Sequence, residues 1–336
     1  MSCCYQDINN VIIFYHYSVG ERLAQMVTKS SVRRKNALLF ELQRHWQLYS
    51  LLILPVAMVV IFKYGPIYGM QIAFRDYTPK QGMLGSPWVG LKHFINFFND
   101  YNFVRVLRNT LVLNISTLLF SFPVPIILAI GINELRSKRY AKTVQTFTYI
   151  PHFISIVVMV GLIFRLVDPN TGPIGQLMAS VVGKNSSIMA TPGMFIPIYI
   201  LSEIWQGAGY SAVIYLAALS GIDPELQEAA YIDGAAKMQR IWHIDLPGIT
   251  PTIIILLIFA IGSLVGGASF EKVLLLQNFL NMDASDILET YIYRIGLTNF
   301  QYSYASAVGF FTSAISFILL ILANFASKKL TDTSLW

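Results

Sequence analysis

Six long apolar segments dominate this chain and constrain its fold more than any other feature of the sequence. A helix needs about 20 apolar residues to cross the hydrocarbon core of a bilayer, and each segment is long enough. They run from about Trp46 to Phe74, Thr110 to Ile132, Thr143 to Phe164, Met194 to Leu219, Ile249 to Phe270 and Ala305 to Ala326. Since a helix satisfies its own backbone hydrogen bonds in lipid, the pattern predicts an all-α polytopic membrane protein with six transmembrane helices.

The composition agrees with this prediction and argues against a soluble domain. The chain is 55% hydrophobic and 12% charged, whereas soluble domains are about 25% charged. Its net charge of +6 comes from short basic clusters between the apolar segments, which is typical of topology signals and predicts no nucleic-acid partner. Cys3 and Cys4 are adjacent, so neither a structural disulfide nor a metal site is expected from them.

Lysine and arginine residues mark the loops that are expected to stay in the cytoplasm. By the positive-inside rule, cytoplasmic loops carry the excess of basic side chains. Basic residues precede the first segment and follow the sixth, and the most compact cluster lies between the second and third segments. That cluster consists of Arg136, Lys138, Arg139 and Lys142. Both termini are therefore predicted to be cytoplasmic, and the loops from Arg75 to Val104 and from Glu271 to Tyr304 are predicted to face outward.

The first of these outward loops is rich in aromatic residues, and two interpretations of it are open. One is an interfacial belt with a short helix lying on the membrane. The other is a docking surface for an external partner, which the sequence favours less. The aromatic side chains are Tyr77, Trp88, Phe94, Phe97, Phe98 and Tyr101.

Three regions follow from these segments: a cytoplasmic N-terminal segment over residues 1–45, a transmembrane domain over 46–330 and a C-terminal tail over 331–336. The apolar run from Val11 to Tyr17 precedes most of the basic residues, which is the reverse of the order in a signal peptide. Met26 and the basic residues after it look like a more ordinary start. The residues before Met26 are therefore interpreted as an extension of the chain.

The loop over residues 220–251, between the fourth and fifth segments, contains several helix start and stop signals. Asp223, followed by proline, is typical of a helix start, and Gly234 can end that helix with a positive φ. A second short helix is expected to run to about Ile244, after which Pro247 leads into the fifth segment. The loop is thus predicted to form a short helix–turn–helix along the cytoplasmic face.

In this loop the chain resembles the ABC importer permeases that carry the EAA signature. Glu228-Ala229-Ala230 is followed by Gly234 and then by Ile244-x-Leu246-Pro247, which matches the signature at every spaced position. Over about residues 40 to 336 the chain is similar to the carbohydrate-uptake permeases of the LplB type, which import oligosaccharides or polysaccharides. The other similar stretches are 62–74, 89–94, 149–155 and Leu335-Trp336.

The resemblance implies the type I ABC importer permease fold and a larger machine in the bacterial cytoplasmic (inner) membrane. A second permease subunit would complete a heterodimer, two ATP-binding subunits would drive transport, and an extracytoplasmic solute-binding protein would deliver the oligo- or polysaccharide. In this family the glutamate of the loop helix is partly buried in a cleft of the ATPase, the alanines allow close approach and the glycine permits the turn. The ATPase-coupling residues implied here are Glu228, Ala229, Ala230, Gly234, Ile244, Leu246 and Pro247.

The sequence does not predict that the chain itself is an enzyme. It lacks a G-x-x-x-x-G-K-[ST] phosphate-binding motif, since Gly183-Lys184-Asn185 has neither the upstream glycine nor the hydroxyl residue. No cofactor is therefore expected in this chain, and ATP and Mg are expected only in the partner ATPase. An alternative, an intramembrane enzyme that uses Glu203, His152 or Glu271, lacks the positioned partner that acid–base catalysis needs. A further alternative is an importer permease for a non-sugar solute such as a peptide or amino acid.

The fourth apolar segment carries polar residues on one face, and this face is predicted to line the substrate pathway. Polar side chains within a span must face protein or water, because facing lipid costs several kcal/mol. Aromatic faces and a few polar groups are also what a sugar requires. The residues, at i, i+3, i+4 and i+7, are Glu203, Gln206, Gly207 and Tyr210.

A resemblance to the maltose importer implies the same face and adds the next helix. In that importer, sugar-contacting side chains lie at fixed spacings from the glutamate of the EAA motif. The same spacings counted back from Glu228 give Glu203, Gly207 and Tyr210 here, and counted forward they give Ser263, Leu264 and Gly267 on the next helix. The alternative is that the face only packs on the partner permease, with small and polar residues joining the helices.

Overall fold

The structure is a computed structural model that describes residues 44–182, 188–331 and 333–336. Over these ranges the chain is helical, and the one strand-like feature is an isolated bridge between Arg75 and Trp88. Almost all of the predicted N-terminal segment, including Cys3 and Cys4, lies outside the described residues, as does Lys184. By its contacts the chain divides into two units, Met1–Gly69 and Met70–Trp336.

The α-helices of the described residues are α1 Trp46–Val59, α2 Gly82–Gly85, α3 Lys92–Phe98, α4 Phe103–Ser121, α5 Pro123–Asn133, α6 Lys138–Tyr149, α7 Ile156–Val167, α8 Pro173–Val182, α9 Pro192–Ser220, α10 Pro224–Ile232, α11 Lys237–Arg240, α12 Leu246–Gly262, α13 Phe270–Leu276, α14 Met282–Ser285, α15 Leu288–Tyr293 and α16 Tyr302–Thr331. Tighter 3-10 turns cover Gly65–Phe74, Ile150–Phe153 and Ile188–Ala190, and wider π turns cover Val60–Tyr64, Ile241–Asp245 and Arg294–Thr298.

Several of these helices are long and apolar enough to cross a membrane. Within the described ranges, four stretches qualify by length and composition: Trp46–Phe74, Phe103–Asn133, Lys237–Gly262 and Tyr302–Thr331. A fifth is added if the bent pair Lys138–Phe153 and Ile156–Val167 is one span. Helix α9 has 29 residues and coincides with the predicted fourth segment. It is not among the four apolar stretches, because its glutamate, glutamine and glycines lower its mean hydropathy. The all-α membrane fold is confirmed, and the count of six spans stays a prediction.

The third predicted segment, Thr143 to Phe164, is wrong as a continuous helix. The chain bends by 97° at residues 154–155, between the 3-10 turn and α7. Pro151 has no backbone N–H with which to continue the hydrogen bonds of the preceding helix. The hydroxyl oxygen of Ser155 then accepts from the backbone N–H of Val158 at 3.4 Å and starts α7 as an N-cap. A proline followed by a capping serine therefore breaks the span.

Helix α9 packs against this bend and satisfies a backbone carbonyl group there. The side-chain amide of Gln206 donates to the carbonyl oxygen of Ile154 at 2.9 Å. Three residues further along, a side chain at Gly209 would overlap the backbone of Thr148, so the glycine allows a close approach of the two helices. Buried backbone groups in native proteins are almost always paired, and here a side chain of α9 does the pairing.

The start of the fifth predicted segment also differs from the structure. A continuous helical stretch begins at Lys237, well before Ile249, and passes through the π turn Ile241–Asp245 into α12. The second short helix that was expected to end near Ile244 is therefore joined to the span. The π turn ends two residues before Pro247, and local π adjustment is one of the ways in which a membrane helix accommodates a proline.

The end of α12 changes the position of three predicted pathway residues. The helix ends at Gly262, so Ser263, Leu264 and Gly267 lie in the turn that follows it and not on a helix. A side chain at Gly267 would lie 2.5 Å from the carbonyl oxygen of Ser263, which real Cβ atoms do not do. The turn therefore closes tightly on itself, and only glycine fits at that position.

Helix α9 is the central element of the unit that begins at Met70. It packs on α4, α5, α6 and α12. Its residues Ala212, Tyr215 and Leu219 are buried together with Ala129 of α5 and Ile249 of α12. Helix α12 packs in turn on α16, the last helix. Residues that α9 presents on different sides consequently meet several other helices.

The aromatic residues of the first outward loop divide between the interior and the surface. Phe97 of α3 is buried and packs edge-on against Phe311 of α16, with ring centroids 5.5 Å apart. Phe94 packs edge-on against Phe310 at 5.9 Å, whereas Tyr101 is almost fully exposed. The loop helix is thus anchored on the last helix by part of its aromatic set, which neither interpretation of the sequence anticipated.

Gly209→Ala should destabilise the protein, because the added methyl group would overlap the backbone of Thr148. Overpacking of this kind costs about 1–3 kcal/mol. Gly193→Ala, in the first turn of the same helix, is the matched control, since a side chain there meets nothing within 4 Å. Thermal unfolding of the purified variants in detergent measures the difference. Equal melting temperatures for the two variants would contradict the close approach of α6 and α9.

Candidate functional site

The loop that carries the predicted coupling motif forms a short helix with no buried residue. At its start, the carboxylate of Asp223 accepts from the backbone N–H of Glu225 at 3.0 Å. Apolar side chains project from it, and Ile232 in its last turn is 83% exposed. The chain then turns at Gly234, where φ is +76°. The predicted helix start at Pro224 and the predicted turn at Gly234 are confirmed.

Hydrogen bonds and an ion pair brace this loop from behind. The side-chain amide of Gln227 donates to Oδ1 of the buried Asp245 at 2.7 Å. Lys237 Nζ lies 3.0 Å from Oε2 of Glu134, at the end of α5. The base of the loop is therefore fixed to α5 and to the stretch that leads into α12, while the outer side of α10 is exposed.

The predicted coupling residues lie along the exposed side of this loop and line two shallow grooves. The first groove, of about 470 Å³, is lined by Ala230, Gly234 and Ile244, among others. Glu228 lines the second, of about 400 Å³, with Tyr231 and Arg240. The remaining motif residues are the exposed Ala229 and Pro247 and the half-buried Leu246. The structure thus presents a grooved surface with room for side chains of another protein.

A second candidate site is a cavity of about 320 Å³ among α4, α5, α9 and α12. Its lining combines apolar residues with hydroxyl and amide side chains, and Glu203 is the one charged residue in the lining that the structure describes. Of the predicted pathway residues, the cavity brings together Glu203, Ser263 and Gly267. The polar lining residues are Asn114, Thr117, Ser121, Glu203, Ser211, Tyr215 and Ser263.

The carboxylate of Glu203 is held at the edge of this cavity by an ion pair. Its Oε2 lies 2.8 Å from Nζ of Lys272, on α13. Gly207 follows one turn later, and a Cβ at that position would lie 3.9 Å from Oε1 of Glu203. The side chain of Glu203 therefore lies over the glycine, and the absence of a side chain there leaves room beside the carboxylate.

Gln206 and Tyr210 meet the bent third segment instead of the cavity. Gln206 donates to the backbone at the bend. The ring of Tyr210 stacks on the ring of His152, with centroids 4.0 Å apart and planes within 2° of parallel. Leu264 contributes its carbonyl oxygen, which accepts from the side-chain amide of Asn114 at 2.9 Å. The predicted face of α9 therefore divides between two surroundings.

Three residues of these sites were missed by the sequence analysis as pathway residues. Asn114 lies in an apolar segment without charges, and an amide in such a segment is a signal that could have identified it. His152 follows Pro151, and the proline signals the change from α-helix to the 3-10 turn in which its ring meets Tyr210 of α9. Lys272 gives no signal, because its partner lies 69 positions away in the sequence.

In the part of the chain that the structure describes, no group of three or more His, Cys, Asp or Glu side chains is placed to hold a metal ion. The described residues form a helical unit with an open cavity of mixed apolar and polar lining and an exposed, grooved loop helix.

Comparison with known families gives a match over most of the chain. Residues 105–332 match the family described as binding-protein-dependent transport system inner membrane component. Protein LplB of Bacillus subtilis strain 168 is 43% identical over 295 residues, which is 88% of this chain and 92% of LplB.

A second relative and a solved structure give the same result. The polygalacturonan/rhamnogalacturonan transport system permease protein YteP of the same strain is 43% identical over 303 residues, 90% of this chain and 94% of YteP. A chain of the bacterial alginate ABC transporter, solved with an alginate pentasaccharide-bound periplasmic protein, superposes with a TM-score of 0.78 at 39% identity. That match covers 88% of this chain and 98% of the transporter chain.

Proposed function

The chain belongs to the family of binding-protein-dependent transport system inner membrane components, and from this premise we propose that it forms, with a second permease subunit, the pathway by which an ATP-driven importer moves an oligo- or polysaccharide. Membership of this family makes the chain a multi-pass membrane transport subunit and not an enzyme. The observation that carries the substrate class is the cavity among α4, α5, α9 and α12, with its hydroxyl, amide and carboxylate lining.

The chemistry of this cavity suits a sugar. Sugar hydroxyl groups donate and accept hydrogen bonds, and ligand pockets use a few placed polar groups among apolar walls to orient them. The hydroxyl of Ser121 in the cavity wall has no hydrogen-bond partner among the described residues, although buried polar groups normally have one. Two relatives named above are a polygalacturonan/rhamnogalacturonan permease and an alginate transporter, which supports carbohydrate over the peptide or amino-acid alternative.

We assign the stacked rings of His152 and Tyr210 to the same pathway. Both residues are exposed, so the stack presents an aromatic edge and a face on which the C–H surface of a sugar can lie. His152 lies in the 3-10 turn Ile150–Phe153, directly before the bend, where its ring meets Tyr210 of α9. The face of α9 that contains Gln206 and Tyr210 thus supports the bend and, through it, one wall of the pathway.

The test is sugar-stimulated ATP hydrolysis by the complex reconstituted in proteoliposomes with its ATPase subunits, second permease and binding protein. A panel of oligosaccharides and short peptides should show stimulation by sugars only. Tyr210→Ala and Gln206→Ala should change sugar selectivity or abolish uptake while the complex still assembles. Tyr210→Phe is the matched control, because it keeps the ring that stacks on His152. If both alanine variants assemble and transport every sugar at wild-type rates, α9 only packs there and the pathway lies elsewhere.

We further propose that the grooved loop is the contact for a separate ATPase subunit, which would bind the ATP and Mg. Helix α10 exposes apolar side chains, braced from behind by Gln227 and Lys237. Such a rigid, exposed apolar surface is typical of a protein–protein contact. Because the loop joins α9 directly to α12, a movement of α10 would be transmitted to two helices that line the cavity.

Gly234→Pro or Glu228→Ala should leave the helices inserted but weaken ATPase attachment and stop uptake. Proline cannot adopt the φ of +76° found at Gly234, and Glu228 lines a groove of the exposed surface. Glu225→Ala is the matched control for Glu228→Ala, since Glu225 takes part in the cap of α10 only through its backbone N–H. Co-purification of the ATPase and uptake of labelled sugar are the measurements. Wild-type uptake by Gly234→Pro would refute this role of the loop.

We also propose that a solute-binding protein docks on the outward loops and delivers the sugar. In the loop between α13 and α14, Phe279 is 97% exposed. The turn that carries it is fixed by Asn278 and Asn281, whose side-chain amides both donate to the carbonyl oxygen of Met189, at 2.9 and 3.2 Å. An aromatic side chain held out on a rigid turn is a typical anchor for a binding partner.

The orientation proposed for the chain places both termini in the cytoplasm. A reporter fused after Trp336 should read cytoplasmic, and so should one inserted near Ser137, beside the densest basic cluster. A reporter next to Phe279 should read external. An external signal at Ser137 would contradict the proposed orientation, because the basic cluster beside it is the main evidence for a cytoplasmic loop.

A further inference from the structure

The most deeply buried cation of the described chain is paired with a residue that lines the cavity. The side chain of Lys272 is 1% exposed. A buried ammonium group costs several kcal/mol unless it is paired and its hydrogen-bonding capacity is used. Lys272 has two partners on α9: Oε2 of Glu203 at 2.8 Å, and the ring of Tyr199, whose centroid is 4.9 Å from Nζ. The second contact is a cation–π interaction.

The two members of the ion pair differ in what they expose. The side chain of Glu203 is 39% exposed, whereas that of Lys272 is buried. The lysine therefore lies in the wall, and the carboxylate is the part of the pair that borders the cavity. With Oε2 bound to the lysine, Oε1 lies on the side of Gly207, where no side chain covers it.

A second link connects the same elements. The backbone N–H of Ser269 donates to the hydroxyl oxygen of Tyr199 at 3.0 Å. Ser269 caps α13, the helix that carries Lys272, and it ends the tight turn that contributes Ser263 and Gly267 to the cavity. The pairs Lys272–Glu203 and Ser269–Tyr199 thus fix this turn on α9.

The charge balance of the cavity follows from this arrangement. Burial lowers the pKa of Lys272, and the charge of Glu203 opposes that shift. The glutamate stabilises the charged form of the lysine, and its carboxylate is the charge that a solute meets. Without Lys272, the lining that the structure describes would present an uncompensated carboxylate.

We propose that Lys272 is a positioning residue that sets the charge selectivity of the pathway: it fixes Glu203 as an acceptor for sugar hydroxyl groups and cancels the negative charge that would repel a sugar carboxylate. The wild-type cavity then passes uronate-bearing oligosaccharides as well as neutral ones. The inference rests on the proposed carbohydrate function and adds to it the class of sugar that the site admits.

The experiment compares two pentasaccharides, a galacturonate pentamer and its fully methyl-esterified form, which has the same sugar backbone but carries uncharged methyl esters in place of the carboxylates. Sugar-stimulated ATP hydrolysis of the reconstituted complex gives a KM and a maximal rate for each. The ratio of the two KM values in a variant is divided by the ratio in the wild type, so the preference of the shared binding protein cancels. A residue that only holds the fold in place would change both sugars equally and leave this ratio unchanged.

Lys272→Met should raise the KM for the charged pentamer on the order of tenfold relative to the esterified one, because like charges repel strongly in a partly desolvated site. Glu203→Gln should shift the ratio in the opposite direction, since it leaves the lysine uncompensated. Lys272→Arg, which keeps the charge, should stay close to the wild type. The double variant Glu203→Gln/Lys272→Met should restore the wild-type ratio, as replacing both members of a buried pair is often tolerated.

Three results decide the inference. If Lys272→Met assembles and its KM ratio equals that of the wild type, Lys272 does not set charge selectivity. If Lys272→Met does not assemble, Glu203→Gln decides. A KM ratio equal to that of the wild type overturns the inference, and a lower KM for the charged pentamer relative to the esterified one supports it. A wild-type complex that no oligosaccharide of a wider panel stimulates would refute the proposed function itself, which is a distinct outcome.

Discussion

The break in the third apolar helix is the feature on which the packing of α9 depends most. In a membrane, a backbone group that leaves the helical hydrogen-bond pattern needs a partner from the protein, because lipid offers none. Gln206 supplies that partner for Ile154, and Gly209 allows α9 to come close enough to do so. An ordinary apolar helix could not replace α9, since the bend that it covers requires an amide and a glycine at these positions.

This requirement explains why the predicted face of α9 serves two surroundings. Glu203 and Tyr210 lie seven positions apart on one side of the helix, which the sequence spacing identified correctly. Spacing does not show which neighbour each residue meets, and that depends on the bend and on the turn after Gly262. Proline is common in membrane helices, so Pro151 in the sequence does not distinguish a mild kink from a break of nearly a right angle.

The loop helix could be predicted in more detail because its signals are local. Asp223 caps α10 and Gly234 turns the chain, and both act within a few residues of their position in the sequence. The joining of α11 to α12 could not be predicted in that way. At this joint Asp245 is buried and bound to Gln227, 18 positions earlier, and such a contact is not visible in the local sequence. Local chemistry thus fixes helix ends, whereas long-range contacts decide whether neighbouring helices join.

Two buried ion pairs of the described chain show how a charge that holds the fold differs from one that meets a solute. Asp286 is completely buried, and Arg294 holds its two oxygens at 3.0 and 2.7 Å while Arg105 approaches at 3.2 Å. Two arginines of the protein pair with its carboxylate, so its charge joins α4 to the segment around α15 and is not presented to a solute. Lys272 is buried equally well, but its partner Glu203 keeps part of its surface at a cavity. Removing a charge from water is costly in both places. In the second place the exposed carboxylate remains able to bind a solute, which gives this pair a role that the closed pair at Asp286 does not have.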